Sequence, residues 1–273
     1  IEEAPTAMAM VVAGKLGLYS LFRFDLGLFP AQAREMAPLL FALGVIGLLY
    51  GAMVALAQTD VRRVVAYAIL SNLSFCIIGI FCFSLSGLNG AVYQTINEGL
   101  SGGALLVLIA FLYERYGSFD MTQYGGLAAR LPMLATLWIL TTLALIGLPI
   151  LNGFVGEFLV LSGSFPVHPG WIAVATIGVI LSAGYMLWMA QRIFYGQQSS
   201  LVSERPHLDL GAREQLALWP MAILMVVMGL FSPYWMKAIN PAMSGLANPP
   251  AAQVIAPGAA TSASAPSPQG GAR

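Results

Sequence analysis

Three ionisable side chains, Lys15, Glu98 and Glu157, lie inside long apolar stretches of the sequence. A charge at the centre of a helix in lipid costs about 2.5–3.5 kcal/mol on insertion scales, so such residues usually pair, face a bundle interior or line a hydrated path. Because burial disfavours the charged form, buried amines and carboxylates can load and release protons near neutral pH. The three residues therefore predict a proton path, with each of them as a proton-transfer group.

Two other interpretations of these charges are a structural ion pair and a metal site. A structural ion pair between helices remains open, although a neutral pair would leave one of the three groups unpaired. A metal site is not expected, because His168 and His207 fall in predicted loops and a hard cation needs more oxygen ligands close together. The two cysteines, Cys76 and Cys82, lie in one apolar run, which is typical of buried packing residues.

The segment "GLPILNGFVGEF" interrupts an apolar stretch just before Glu157. Pro149 removes a backbone donor and clashes with the preceding turn, while glycines such as Gly153 loosen the backbone. Interrupted helices at membrane depth are tolerated where they are buried in protein or line a cavity, and transporters use them at ion sites. The break therefore favours a functional role for Glu157, and a proline kink that only shapes packing is the alternative.

Polar residues in a neighbouring apolar stretch are candidates for supporting the same path. Ser71 and Asn72 could hydrogen-bond across helices or hold a water molecule. Tyr67 could line the path from the same stretch. Each of these is also a common type of polar packing residue, so their role stays an expectation.

The composition places all these residues in a membrane protein. The 273 residues are 58% hydrophobic and 9% charged, whereas a soluble domain carries about 25% charged residues. So few charges cannot cover a surface that faces water. The formal net charge of zero excludes the basic surface that nucleic-acid binding needs, so no nucleic-acid partner is expected.

Apolar stretches long enough for helices that cross a bilayer follow one another along the chain. A hydrocarbon core about 30 Å thick needs roughly 20 apolar residues. Seven stretches qualify, approximately 6–24, 38–57, 64–84, 90–113, 132–162, 171–194 and 215–236. The fifth is too long for one straight helix and contains the "GLPILNG" break. The predicted fold is an all-α transmembrane bundle of about seven helices, one of them interrupted.

The predicted loops carry their positive charges unequally. One side would receive Arg62, Arg63, Arg115, Arg130, Arg192, Arg205 and Arg213, and the other Arg23, Arg34, Lys237 and Arg273. The positive-inside rule makes the richer side cytoplasmic, so the C-terminus is expected outside. Residues 1–238 form the predicted transmembrane domain. Residues 239–273, rich in Pro, Ala and Ser, are expected to be a disordered tail.

Several motifs occur in an order that resembles a known family. They are "EAPTA", "AGKLGLYSLFRF", "ALAQTDVRRVVAYAILSNLSF", "YQTINEGLSGGALLVLIAFLYER", "YGGLAARLP" and "GLPILNGFVGEFLVLSGSF". Together they look like the antiporter-like M-type subunit of proton-pumping NADH–quinone oxidoreductase, the respiratory complex I. The resemblance runs from residue 2 to about 236. Because the chain begins with Ile1 and not Met, we expect it to be the C-terminal half of such a subunit.

The resemblance carries further implications. The family has fourteen transmembrane helices in two inverted repeats, and this chain would hold the last seven. Lys15 matches the family's membrane lysine in a central hydrophilic axis, and Glu157 matches the glutamate of the broken helix that passes protons outward. Partners would be L- and N-type antiporter-like subunits in a bacterial inner membrane, with a periplasmic C-terminus. NADH, FMN, iron–sulfur clusters and quinone would be bound by partner subunits, and no cofactor by this chain.

The sequence departs from the family pattern at three positions. The family usually has histidine where this chain has Asn72 and Glu98, and lysine where it has Arg62. Glu98 is therefore interpreted as a substitute proton carrier in the axis.

Two rival functions remain open from the sequence. The first is a subunit of a multi-component sodium/proton antiporter, since single motifs are shared with such proteins. The second is a scaffold whose polar groups only pack helices. The scaffold predicts that neutral replacements of the three buried charges lower stability and leave transport intact.

Overall fold

The structure, a computed structural model, describes residues 13–204 and 208–247 and is almost entirely helical there. The helices in chain order are α1 (13–28, with a π-helical turn at Leu21–Asp25), α2 (Pro30–Leu56), α3 (Val61–Phe81), α4 (Leu85–Tyr116), α5 (Pro132–Leu145), α6 (Asn152–Ser164), α7 (Pro169–Phe194), α8 (Ser200–Glu204), α9 (Ala212–Leu230) and α10 (Ser232–Ala247). Two 3₁₀ turns, Met121–Gln123 and Leu127–Ala129, lie in the loop between α4 and α5.

The helices match the predicted transmembrane bundle. Within the described residues, α2, α3, α4, α7 and α9 are long and apolar enough to cross a membrane. The helices α5 and α6 have 14 and 13 residues, about 20 Å each, so neither crosses a bilayer alone. They follow each other across residues 146–151 and together form the interrupted helix. With α1 this confirms the predicted all-α fold and its broken fifth helix.

Loop contacts define one end of the bundle, which we call end A. The backbone N–H of Val61, at the start of α3, donates to the Phe119 carbonyl at 2.9 Å. In the same region the Asp209 carboxylate accepts from the backbone N–H of Met133 at 2.6 Å, which caps the start of α5. Arg115 at the end of α4 pairs with Glu214 of α9 at 2.6 Å. These contacts tie together the loops at end A.

Asp60 begins α3 at end A as its N-cap residue. Its carboxylate accepts a hydrogen bond from the backbone N–H of Arg62 at 2.8 Å and pairs with the Arg62 guanidinium at 3.0 Å. Burial raises the pKa of Asp60, but the hydrogen bonds and charge of Arg62 outweigh that effect and lower it overall. The Arg62 guanidinium also lies 3.8 Å from the centre of the Phe119 ring. The cap thus joins α3 to the loop that follows α4.

The C-terminal part corrects two sequence predictions. The last span was expected at 215–236, but α9 ends at Leu230 and a separate helix, α10, follows. Pro233 has no backbone N–H to continue α9, and its ring disfavours a helical residue before it. The tail predicted from residue 239 starts as helix instead, up to Ala247, and its remainder lies outside the described residues.

Tertiary contacts explain why α10 forms. Asn89 of α4 donates a hydrogen bond to Asn240, and Arg34 of α2 donates to the Ala247 carbonyl at 3.0 Å. Met243 is buried in the same region. These contacts place α10 against the starts of α2 and α4, which is the opposite end of the bundle, end B.

Candidate functional site

The side chains of Lys15 and Glu98 meet inside the bundle. Lys15 Nζ lies 3.8 Å from Glu98 Oε2, with 18% and 4% of the two side chains exposed. This distance suits an ion pair and is too long for a hydrogen bond. Among the described residues, neither Lys15 Nζ nor either carboxylate oxygen of Glu98 has a hydrogen-bond partner. The pair is therefore buried, and no described protein group other than the pair itself contacts its charged atoms closely enough to hydrogen-bond.

Glycines beside Glu98 make room for this pair. A Cβ on Gly99 would lie 3.1 Å from Lys15 Cε. The aliphatic part of the Lys15 side chain therefore packs against α4 at a position that has no side chain of its own. A Cβ on Gly102, one turn further, would have no neighbour within 4 Å. The "EGLSGG" pattern thus lets α1 approach α4 and leaves open space next to the carboxylate.

That open space belongs to a small cavity. It is lined by Asn72 of α3, Glu98 and Gly102 of α4, and Tyr185 of α7, among others, and its volume is about 10 Å³. A volume of this size holds about one water molecule, and such a water needs polar partners. The predicted supporting residue Asn72 is therefore brought to Glu98. The sequence reasoning missed Tyr185, which gave no signal because it lies in an ordinary apolar run.

The helix break has an unusual backbone. Gly147 has φ +70° and Ile150 has φ +86°. A positive φ is ordinary for glycine but strained for a β-branched residue. Leu148, Pro149 and Ile150 are exposed on the surface of the chain. The middle of the break therefore directs its side chains outward, while Leu151 at its end is buried in the hydrophobic core.

Glu157 lies on the second turn of α6 and contacts this break. Its side chain is buried, with 8% of the residue exposed. A Cβ on Gly147 would lie 2.7 Å from Glu157 Cδ and closer still to Oε2. Gly147 is thus required both by its positive φ and by the carboxylate beside it.

A buried amide cluster fastens the break to α4. Asn97 Nδ2 donates to the Asn152 carbonyl at 2.7 Å and to Gln94 Oε1 at 3.3 Å. The Asn152 side-chain amide donates to Ser101 Oγ at 3.2 Å. Asn97, Ser101 and Asn152 were missed by the sequence reasoning. Their signal was the helical spacing of Gln94, Asn97 and Ser101, which places them on one face of α4.

Close packing also joins α4 and α6. A Cβ on Gly90 would lie 2.7 Å from the backbone nitrogen of Val160, and one on Gly156 would lie 3.0 Å from Gln94 Cβ and overlap its side-chain oxygen. The two helices therefore approach almost backbone to backbone. Glu98 and Glu157 are carried by one tightly packed helix pair.

The other predicted supporting residues have structural positions. Ser71 is fully buried and donates its hydroxyl to the Leu48 carbonyl of α2 at 2.8 Å. Tyr67 is half-buried and packs against the hydrophobic core, and it is not among the residues that line the cavity at Glu98. Gly153 lets the start of α6 meet the end of α5, because a Cβ there would overlap the Ala144 carbonyl.

The arrangement suits proton transfer better than metal binding. In the described part of the chain, no three His, Cys, Asp or Glu side chains cluster as a metal site. An amine and a carboxylate at 3.8 Å can exchange a proton through one water molecule. His168 lies at the start of α7 against the Phe41 ring, far along the chain from these groups.

The sequence comparisons all point to the same family. Residues 1–182 match the family described as NADH:quinone oxidoreductase/Mrp antiporter, TM. NADH-quinone oxidoreductase subunit M of Pseudomonas aeruginosa is 42% identical over 232 residues, which cover 84% of this chain and 45% of that protein. The Escherichia coli K12 subunit M is 38% identical over 233 residues, covering 84% of this chain and 46% of that protein. The resemblance to M-type subunits is confirmed, and the chain spans about half the length of these relatives.

Solved structures share the fold. A chain of respiratory complex I from Thermus thermophilus with bound NADH is 34% identical, with a TM-score of 0.80 over 85% of this chain and 49% of that chain. A chain of the Mrp complex from Dietzia sp. is 19% identical, with a TM-score of 0.79 over 86% of this chain and 52% of that chain. The second match concerns the fold alone.

Proposed function

Because the chain belongs to the NADH:quinone oxidoreductase/Mrp antiporter transmembrane family, we propose that it forms part of a proton-translocating membrane subunit. The subunit would belong to a proton-pumping NADH–quinone oxidoreductase. In that enzyme, redox chemistry in other subunits drives protons through this one. The chain itself carries no redox role in the proposal.

One observation carries the proposal, namely the buried pair of Lys15 and Glu98. The two groups come from different helices, lie 3.8 Å apart and have no hydrogen bonds within the described chain. A structural ion pair normally satisfies its charges with hydrogen bonds, because leaving them unmade is costly. A pair that passes protons must instead be able to gain and lose its charge, so it should not be held in one charged form by a full set of hydrogen bonds.

The proposed route runs from Lys15 to Glu98 and on to Glu157. Glu98 takes the place of a family histidine, and the cavity beside it has room for about one water molecule. Glu157 sits at the helix break, where freed backbone groups and water can stabilise its charge. Protons would leave from Glu157 towards end B.

The orientation of the chain is part of the proposal. In the described residues, end A carries most of the arginines, including Arg62, Arg63, Arg115, Arg130, Arg192 and Arg213. By the positive-inside rule end A is cytoplasmic and end B, with α10, faces the periplasm of a bacterial inner membrane. Proton release towards end B is then outward.

The proposed partners are the other membrane subunits of the enzyme, including the L- and N-type antiporter-like subunits. The Thermus thermophilus neighbour is itself a chain of a respiratory complex I. NADH, FMN, iron–sulfur clusters and quinone are assigned to partner subunits. The lipid bilayer surrounds the helices.

The test uses the full-length protein in its native complex, reconstituted into liposomes. We expect NADH–quinone turnover to acidify the lumen with no requirement for sodium ions. The Lys15→Met variant should assemble normally and lose about 99% of NADH-linked acidification, since proton-transfer groups contribute about 100-fold or more.

A sodium/proton antiporter would give a different result. The family name covers such proteins, and the Mrp complex from Dietzia sp. shares the fold. Purification without any NADH-linked activity, together with acidification that follows a sodium gradient, would establish the antiporter in place of the proposed function. Unchanged pumping in Lys15→Met would instead favour a scaffold.

A further inference from the structure

The end of α9 lies directly on the helix break. A Cβ on Gly229 would lie 2.6 Å from the carbonyl carbons of both Ile150 and Leu151, and closer still to the carbonyl oxygen of Ile150. Real Cβ atoms essentially never come within 3.0 Å of a heavy atom outside their own and the adjacent residues. Because the neighbours are backbone atoms, they cannot rotate away as a side chain can. Any larger residue at position 229 must therefore displace the break.

A hydrogen bond holds α9 at this place. The buried Tyr93 hydroxyl donates to the carbonyl of Met228, the residue before Gly229, at 2.6 Å. Tyr93 lies on α4. This hydrogen bond therefore fixes the end of α9 against α4, the helix that carries Glu98.

The break in turn contacts Glu157. The Glu157 carboxylate lies against Gly147, at the first turn of the break, and Ile150 holds a strained positive φ at its far end. A strained conformation persists only where the surroundings enforce it. Gly229 therefore contacts the break near Ile150, and Glu157 contacts it at Gly147.

We propose that Gly229 is a positioning residue for Glu157. The bare backbone of α9 at this point holds the break in the conformation that keeps the Glu157 carboxylate against Gly147. The inference rests on the proposed function, because the position of Glu157 matters to transport only if that group passes protons. It assigns α9 a role in the proton path although none of its side chains belongs to that path.

The test compares two glycine-to-alanine variants of the full-length protein in the native complex. Gly229→Ala adds a methyl group against the break. Gly184→Ala is the matched control, because it makes the same change in transmembrane helix α7, where a Cβ has no neighbour within 4 Å. Two properties are measured, namely protons pumped per NADH oxidised and the pH at which a hydrophobic carbodiimide labels half of Glu157. The label reacts with protonated carboxyl groups, and mass spectrometry locates it.

The expected result separates the two variants. Gly229→Ala should assemble, lose about tenfold in protons pumped per NADH, since small displacements of reacting groups cost this much or more, and shift the labelling midpoint by about half a pH unit or more. Gly184→Ala should match the wild type in both. A merely structural role for Gly229 would lower assembly and leave the midpoint unchanged, which would overturn the inference.

A second variant tests the inference if Gly229→Ala does not assemble. Tyr93→Phe removes only the hydrogen bond to Met228 and keeps the packing of the ring, so we expect the midpoint to shift in the same direction. An unchanged midpoint in Tyr93→Phe would also overturn the inference. If the midpoint shifts in Gly229→Ala but the wild-type complex itself pumps no protons, the positioning role is supported and the proposed function is contradicted. The failure of one can therefore be told from the failure of the other.

Discussion

Glu98 is the residue on which the account depends most. The resemblance implies a histidine at this position in the family, and a glutamate there changes what Lys15 faces, because a histidine is neutral or positive and a glutamate is neutral or negative. In the structure the two groups lie at ion-pair distance without hydrogen bonds among the described residues. The substitution therefore places an acid and an amine next to each other, which suits proton exchange between them.

Asp60 gives a residue-scale prediction about stability at end A. Asp60→Ala removes the N-cap of α3 and the ion pair with Arg62, so we expect it to lower the free energy of unfolding by about 1 kcal/mol. Because the pKa of Asp60 is lowered in the folded protein, the charge contributes fully above about pH 4, the pKa of an unfolded aspartate. That contribution disappears as the pH falls through the folded-state pKa.

Thermal unfolding in detergent at pH 7 and at pH 3 measures the effect. Asp60→Asn is the control, since asparagine caps helices well but carries no charge. The difference between wild type and Asp60→Asn should shrink at the lower pH. A difference that grows on acidification would contradict the assigned role of the carboxylate.

At the scale of elements, the interrupted helix determines where Glu157 lies. The helices α5 and α6 stay close because of Gly153, the amide of Asn97 holds the start of α6, and Gly229 of α9 closes the break from the other side. The break is therefore supported by its own two helical halves and by two neighbouring helices, α4 and α9. Such support is what a strained loop needs in order to persist.

Ile150 gives a prediction for this element. Ile150→Gly relieves the positive φ, which costs about 1–3 kcal/mol for a β-branched residue, and 64% of the isoleucine is exposed. After the entropy cost of glycine, about 1 kcal/mol, we expect stability to be equal or higher. Proton pumping should fall, because a glycine also admits other conformations of the break.

Leu148→Gly is the matched control in the same loop. Leu148 is also exposed, at 42%, but is not one of the two non-glycine residues with positive φ in the described part of the chain. This variant should lower stability by about 1 kcal/mol. If Ile150→Gly destabilised the protein as much as Leu148→Gly, the backbone at Ile150 would not be strained.

The hydrophobic pattern and the positions of glycine and proline were enough to predict most of the helices. The spans and the break at Pro149 followed from the length of apolar runs and from backbone chemistry, which are local properties. The helix α10 was missed because it is held by distant contacts, such as that between Asn89 and Asn240. The Lys15–Glu98 contact could not be predicted either, since the two residues lie on helices whose packing no local pattern specifies.

At the scale of the whole molecule, the two ends of the bundle differ. End A is joined by loop hydrogen bonds and by the Arg115–Glu214 pair, and end B by α10. The buried charges lie between these ends. The proposed proton path therefore runs through the helix pair α4 and α6, which carries Glu98 and Glu157.

Cysteine labelling tests the proposed orientation. Ser203→Cys at end A and Ser244→Cys on α10 at end B both replace exposed serines, and the native Cys76 and Cys82 are buried. A membrane-impermeant maleimide should label Ser244→Cys, and not Ser203→Cys, in cells whose outer membrane is permeabilised. Inverted membrane vesicles should give the reverse result. Labelling of Ser203→Cys from the periplasmic side would place end A outside and reverse the proposed direction of transport.

The most direct measurement of the central claim concerns Glu98. The full-length protein in its native complex is compared as wild type, Glu98→Gln and Glu98→His, with NADH–quinone turnover and lumen acidification recorded together in liposomes. Glutamine has nearly the same shape but cannot carry a proton, so we expect acidification to fall about tenfold or more with normal assembly. Histidine, the usual family residue, should retain substantial pumping. Equal pumping in all three would contradict the account, because Glu98 would then be a packing residue and not a proton carrier.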